Sequence, residues 1–327
     1  MRSNAKTQMV DTNKPLCPLC NKPGSSLLAS ELRRGTGIVY FCADCEHGYL
    51  VDNPHKNAKA YYDGEYRKEV SHKATVASTN PKEIFDTYVR YQSDRLEVIV
   101  PNLSQSTRLL EVGASAGQFI AHVKDLVALV HAIELDSECA SFLRSNLNVE
   151  VETEFLSESE FHANKYDIVC AFQVLEHVDN ASQFIESLKQ VCEQGGKIFV
   201  EVPSLHDPLR AVWAVPEYEK FYFHSEHLHY FSAQSLKRAA VMAGFRTDQV
   251  SVRFSQDYNV LNHVNWILNR VPQPECHFGL SDIRLDGVDR EIASWLSDEM
   301  QALNRRYIER LQRGGKTSNL MLIISND

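Results

Sequence analysis

Dense runs of Lys and Arg are missing from this sequence of 327 residues, which sets 34 basic side chains against 43 acidic ones for a formal net charge of −9. Binding that depends on neutralising many phosphates is therefore disfavoured, and no nucleic-acid partner is expected. Nor does any stretch reach the roughly 20 consecutive apolar residues that a membrane-spanning helix needs. The opening "MRSNAKTQMV" has no apolar signal core, so no membrane partner and a cytoplasmic location are expected. A His-Glu-x-x-His zinc helix is absent too: the histidine-rich stretch "FYFHSEHLHYFS" runs His-Ser-Glu-His-Leu-His from His224 to His229. What remains, at 43% hydrophobic and 24% charged residues, is the composition of an ordinary folded chain. Its length suits one large domain with smaller additions.

Of the eight cysteines, four form two C-x-x-C pairs, Cys17 with Cys20 and Cys42 with Cys45, with 21 residues between the pairs. Two turns so spaced can each offer two thiolates to one tetrahedral zinc. The β-branched and aromatic "GIVYFC" predicts a strand leading into the second pair, as in a zinc ribbon. Four filled positions leave no room for chemistry at such a zinc. Cys139, Cys170, Cys192 and Cys276 lie scattered in apolar or helical surroundings and are expected to be inert core thiols.

From residue 84 onward, strands and helices alternate. "PKEIFDTYVRYQSDRLEVIV" has helical spacing, and "TRLLEVGASAGQFIAHVKDLVA" reads as a strand, a glycine turn and a helix. Further strands are predicted at "LVHAIELD", "VEVETEF", "KYDIVCAFQVLEHV" and "KIFVEVP", with a helix from Asn180 ending at Gly195 or Gly196. Such alternation implies a parallel sheet covered on both faces, with ligands at the carboxyl ends of the strands. Three features fall at those ends. Gly113 and Gly117, with Ser115 between them and Glu111 before, form a turn on which a ligand can approach the backbone; its spacing departs from the dinucleotide G-x-G-x-x-G pattern, which disfavours NAD. Glu134, 21 positions after Gly113, can accept both hydroxyls of an unphosphorylated ribose. Gln173, Leu175, Glu176 and His177 follow the fourth strand directly.

In order and spacing, "LLEVGASAGQF", "AIELD" and "YDIVCAFQVLEHV" resemble the class I S-adenosylmethionine-dependent methyltransferases, across about residues 84 to 255. The resemblance implies an α/β, Rossmann-like seven-stranded core with S-adenosylmethionine as cofactor. It places Glu111, Gly113, Ser115 and Gly117 against the methionine part, Glu134 on the ribose, and Gln173, Leu175, Glu176 and His177 on the sulfonium side. An adenine contact falls to Phe155. Around that core we expect a zinc module at 1–55, a linker with Tyr61, Tyr62 and Tyr66 at 56–83, and a helical insertion with a last strand at 256–327.

In this fold the segment after the fifth strand crosses the mouth of the cofactor site, and the histidines lie there, just before a helix capped by Ser232 and terminated by Gly244. Methyl transfer to a hydroxyl or an enolisable carbon needs a base, which makes His227 beside Glu226 the expected general base. His224 and His229 are expected to pack. A four-cysteine module joined to a Glu-His pair also resembles the sugar C-methyltransferases, which implies a small-molecule acceptor such as a nucleotide sugar, with Tyr66 contributed from the zinc side. A zinc-containing RNA or protein methyltransferase is the alternative that the acidic balance opposes. A non-catalytic scaffold is opposed by the intact Glu111, Gly113, Gly117 and Glu134. The sequence does not fix the oligomeric state.

Overall fold

The computed structural model describes residues 14–33, 35–51, 63 and 80–327. Strands β4 (Arg108–Val112), β5 (Leu129–Ile133), β6 (Glu150–Glu152), β7 (Tyr166–Phe172), β8 (Cys192–Pro203), β10 (Val250–Ser255) and β11 (Asn319–Ser325) form one seven-stranded sheet in the order β10-β11-β8-β7-β4-β5-β6. Pairing from β8 through β6 is parallel, whereas β11 enters antiparallel between β8 and β10. Near-continuous apolar runs such as "RLLEV" and "YDIVCAF" are what burial of both sheet faces demands. Separate apolar clusters accordingly lie on the two faces, one around Val169, Ile185 and Leu236, the other around Leu109, Phe119 and Phe199.

A second sheet has the order β1-β2-β3-β9, from β1 (Ser26–Ala29), β2 (Ile38–Cys42), β3 (His47–Val51) and β9 (His229–Phe231). Its first three strands belong to the cysteine module, while β9 is part of the histidine stretch, pairing antiparallel to β3 with Tyr49 opposite His229. Apolar packing also crosses between the two parts, since Cys17, Leu19, Cys42, Cys45 and Tyr49 share one buried cluster with Phe231 and Leu236.

Local signals explain most helix boundaries. Asn80 caps Pro81–Tyr88 by accepting from Lys82 N at 2.9 Å, and Asn180 caps Ala181–Val191 by accepting from Gln183 N at 3.1 Å. Ser232 caps Ala233–Met242 through a capping box, and Gly244, at φ +84°, follows its end. Two boundaries differ from expectation. The run after Pro81 breaks into two helices, the second at Ser93–Ile99. The helix from Ala181 stops at Val191, so Gly195 lies within β8 at φ +80° and does not terminate it. Between 256 and 316 the principal helices are Val260–Asn269 and Arg290–Arg313. Among the described residues no helix is long and apolar enough to cross a membrane.

Candidate functional site

The turn after β4 lies at the carboxyl end of the sheet. Gly113 and Gly117 adopt φ +80° and +83°, and Ser115 adopts +51°, a region in which a non-glycine residue is strained by about 1–2 kcal/mol. The space the glycines leave is taken by protein, where a ligand's approach to the backbone was expected: a Cβ on Gly113 would stand 2.4 Å from Val174 Cγ2, and one on Gly117 2.3 Å from Leu143 Cδ2. Val174, absent from the expected site residues, therefore sets the floor of the turn. Only the inversion of the backbone at Gly113, brought beside β7 by the parallel pairing, could have signalled it.

Glu134 follows β5 and is buried. Its Oε2 accepts from Ser115 N at 2.5 Å and its Oε1 from Asp136 N at 2.9 Å, which fixes the carboxylate between the two turns. An ionised carboxylate is acceptor-only, which is what a ribose hydroxyl calls for. Glu111, inside β4, is buried with Oε2 lacking a hydrogen-bond partner among the described residues. Burial pushes its carboxyl up to about 8, against the pull of Arg95 and with a further rise from Glu134. A buried, incompletely paired carboxylate beside the glycine turn fits a cationic ligand such as the α-ammonium of S-adenosylmethionine.

Other expected residues separate in space. Phe155 lies on the loop after β6 and is 38% exposed. Leu175 is fully buried in the core. Gln173, at φ +57°, turns towards Glu201 Oε1 at 3.2 Å and Asn319 Oδ1 at 3.3 Å. Arg95, which stands 4.4 Å from the centroid of the Phe172 ring, pairs with Glu201, and Asn319 donates to Asp257 at 2.5 Å. This network was missed. One signal for it existed, the acid at 201 inside the otherwise apolar "KIFVEVP". Tyr61, Tyr62 and Tyr66 lie outside the described residues.

At the histidine stretch the expected pairing needs correction. The carboxylate of Glu226 bonds His224, with Nδ1 to Oε2 at 2.7 Å, and its backbone carbonyl accepts from His177 Nδ1 at 2.8 Å. His227 instead faces Glu176, its Nε2 being 4.0 Å from Oε1, and its ring centroid lies 3.8 Å from that of His224 and 4.8 Å from that of His177. The reason is a backbone bond from Leu228 N to Glu176 O at 2.7 Å, which draws the stretch against the loop after β7. Burial pushes the Glu176 carboxyl up to about 8. His229 is buried 3.0 Å from His47 in the small sheet, and burial brings it down to about 4, as suits a packing residue.

The four module cysteines converge, with their sulfurs within 4.8 Å of one another and Cys20 3.6 Å from Cys42. Tetrahedral zinc would hold sulfurs about 3.8 Å apart, from bonds of about 2.3 Å. All eight cysteines are unbridged, and Cys276 is only half-buried where a core thiol was expected.

A seven-stranded sheet with an antiparallel strand inserted beside its end, a glycine turn after β4 and an acid after β5 define an S-adenosylmethionine-dependent methyltransferase of class I. Residues 84–250 match the model of a methyltransferase domain family, and the chain belongs to that family. A curated relative, the mitochondrial ubiquinone biosynthesis O-methyltransferase of Dictyostelium discoideum, is 30% identical over 101 residues, which span 30% of this chain and 30% of that protein. Among solved structures, an S-adenosylmethionine-dependent methyltransferase of Archaeoglobus fulgidus is 16% identical with a TM-score of 0.47, over 75% of this chain and 97% of that one. Another from Thermotoga maritima is 12% identical with a TM-score of 0.48, over 82% of this chain and 100% of that one.

Proposed function

We propose that the enzyme methylates a small hydroxyl- or keto-bearing acceptor, a sugar or nucleotide-linked sugar, on carbon or oxygen, at the corner formed by Glu176, His177 and His227. The observation that carries this reading is the convergence of those three side chains directly beyond the end of β7, beside a strand, β9, that also belongs to the cysteine module. A module sheet reaching the acceptor side is the plan that resembles the sugar C-methyltransferases. The ubiquinone O-methyltransferase named above supports a small-molecule acceptor in general.

S-adenosylmethionine supplies, when bound, an electrophilic methyl group on a sulfonium. On this reading Glu134 accepts the ribose hydroxyls, Glu111 faces the ammonium, and the backbone of 113–117 lies along the methionine part. Phe155, Gln173 and Leu175 border the adenine and sulfonium sides. His227 activates the acceptor, and the Glu226–His224 pair holds the stretch in register with the loop at Glu176. Tyr66 is assigned to the acceptor side, and Cys17, Cys20, Cys42 and Cys45 to one structural zinc.

Glu134→Ala removes charge-assisted hydrogen bonds, each worth on the order of 1.5 to 3 kcal/mol. It also frees the Ser115 turn. Calorimetry should show at least roughly tenfold weaker cofactor binding, and an unchanged affinity would place the ribose elsewhere. The acceptor is tested by cofactor-dependent methylation across a panel of nucleotide sugars, with the new methyl located by NMR. A quinol or phenol methylated while every sugar is refused would overturn the sugar assignment.

A further inference from the structure

Glu176, His177 and His227 form a second cluster of metal-ligand character, distinct from the cysteines, with ligand atoms within 4.8 Å of one another. Glu176 is 1% exposed, and neither carboxylate oxygen has a hydrogen-bond partner among the described residues. With both oxygens so left in a buried position, an ionised Glu176, whose uncompensated charge would cost several kcal/mol, asks for a positive occupant.

A proton shared with either imidazole does not close the gap. Oε1 lies 3.8 Å from His177 Nε2 and 4.0 Å from His227 Nε2, beyond hydrogen-bond reach. The Glu226 carbonyl can only accept, so His177 Nδ1 carries the ring proton, and in the neutral ring Nε2 is the lone-pair nitrogen. Two acceptors therefore stand near each other in a largely buried corner. An imidazole whose far N–H is held by a carbonyl is also how ligating histidines are oriented. An ion bonded to nitrogen and oxygen at about 2.0–2.2 Å can bridge a separation of about 4 Å.

We propose that Glu176, His177 and His227 bind a divalent cation of the zinc type, leaving a position open for the acceptor's oxygen. Two imidazoles favour such an ion over magnesium or calcium, and three protein ligands with an open position are the arrangement of a catalytic rather than a structural site. The proposal rests on the methyl transfer assigned to this corner and says how His227 serves it. As a ligand rather than a free base, His227 helps hold an ion that lowers the proton affinity of the acceptor's oxygen, and the proton leaves to water.

The test titrates cobalt(II) into protein whose cysteine site is filled with zinc, following bound metal and absorbance. One further equivalent per chain is expected, with weak ligand-field bands and no sulfur charge transfer. It should be lost in Glu176→Gln and in His227→Ala, both checked for fold by near-ultraviolet circular dichroism. No further equivalent in the parent protein, cobalt found only with a sulfur charge-transfer band, or binding that survives both substitutions overturns the proposal. Methylation of the acceptor panel is measured on the same samples. Turnover with no second metal removes the metal and leaves the proposed function, whereas a second metal with no sugar methylated keeps the site and removes the acceptor assignment.

Discussion

Replacing His227 with alanine is expected to lower turnover by about 10² to 10⁴ while cofactor affinity stays within a few-fold. That loss is what removal of a group activating the acceptor typically costs. Cofactor affinity should survive because His227 is tied to the loop at Glu176 and to the His224 ring, whereas the residues assigned to the cofactor's ribose and ammonium, Glu134 and Glu111, lie at the ends of β5 and β4. Melting temperature, calorimetry with S-adenosylmethionine and turnover, measured on the same variant, separate the possible roles. A packing role would lower the melting temperature and leave turnover per folded molecule within a few-fold, and that result would sink the assignment. His229→Ala is the control. It leaves buried His47 without its partner at 3.0 Å, a cost of about 1–3 kcal/mol that should appear in stability and not in the chemistry.

The contrast between these two histidines also marks where the sequence was legible. Local patterns located the strand and helix alternation, the cap at Ser232, the glycine turn and the cysteine pairs, because each depends on neighbours within a few positions. The partner of His227 depended on which distant loop the stretch would lie against. Glu226 is adjacent in sequence, yet its carboxylate turns to His224, and Glu176, some fifty positions earlier, takes the place expected of it. The course of β11 between β8 and β10, and the network joining Arg95, Glu201, Asp257 and Asn319, are likewise products of long-range pairing. Acids inside apolar strands, Glu111 and Glu201, were the readable trace of that network, since a buried charge without a purpose is costly.

Disrupting the cysteine site should reach the chemistry through β9. Cys42→Ser is expected to release one zinc per chain and to lower stability by several kcal/mol, because structural zinc contributes folding free energy outright. The damage should not stay within the module. Cys17, Cys42 and Cys45 are almost wholly buried in a cluster that also holds Phe231 of β9 and Leu236 of the following helix, and β3 pairs with β9 over His229–Phe231. Two residues before that strand stands His227. Loosening β3 therefore removes the partner that fixes the stretch, so turnover should fall further than cofactor affinity does, a split that general unfolding would not produce. Metal analysis of protein never exposed to chelators should give zinc at the cysteines. A disulfide within either pair, or a metal-free Cys42→Ser variant that melts and turns over like the parent, would show instead that the thiols merely pack and that β9 is held by the methyltransferase core alone.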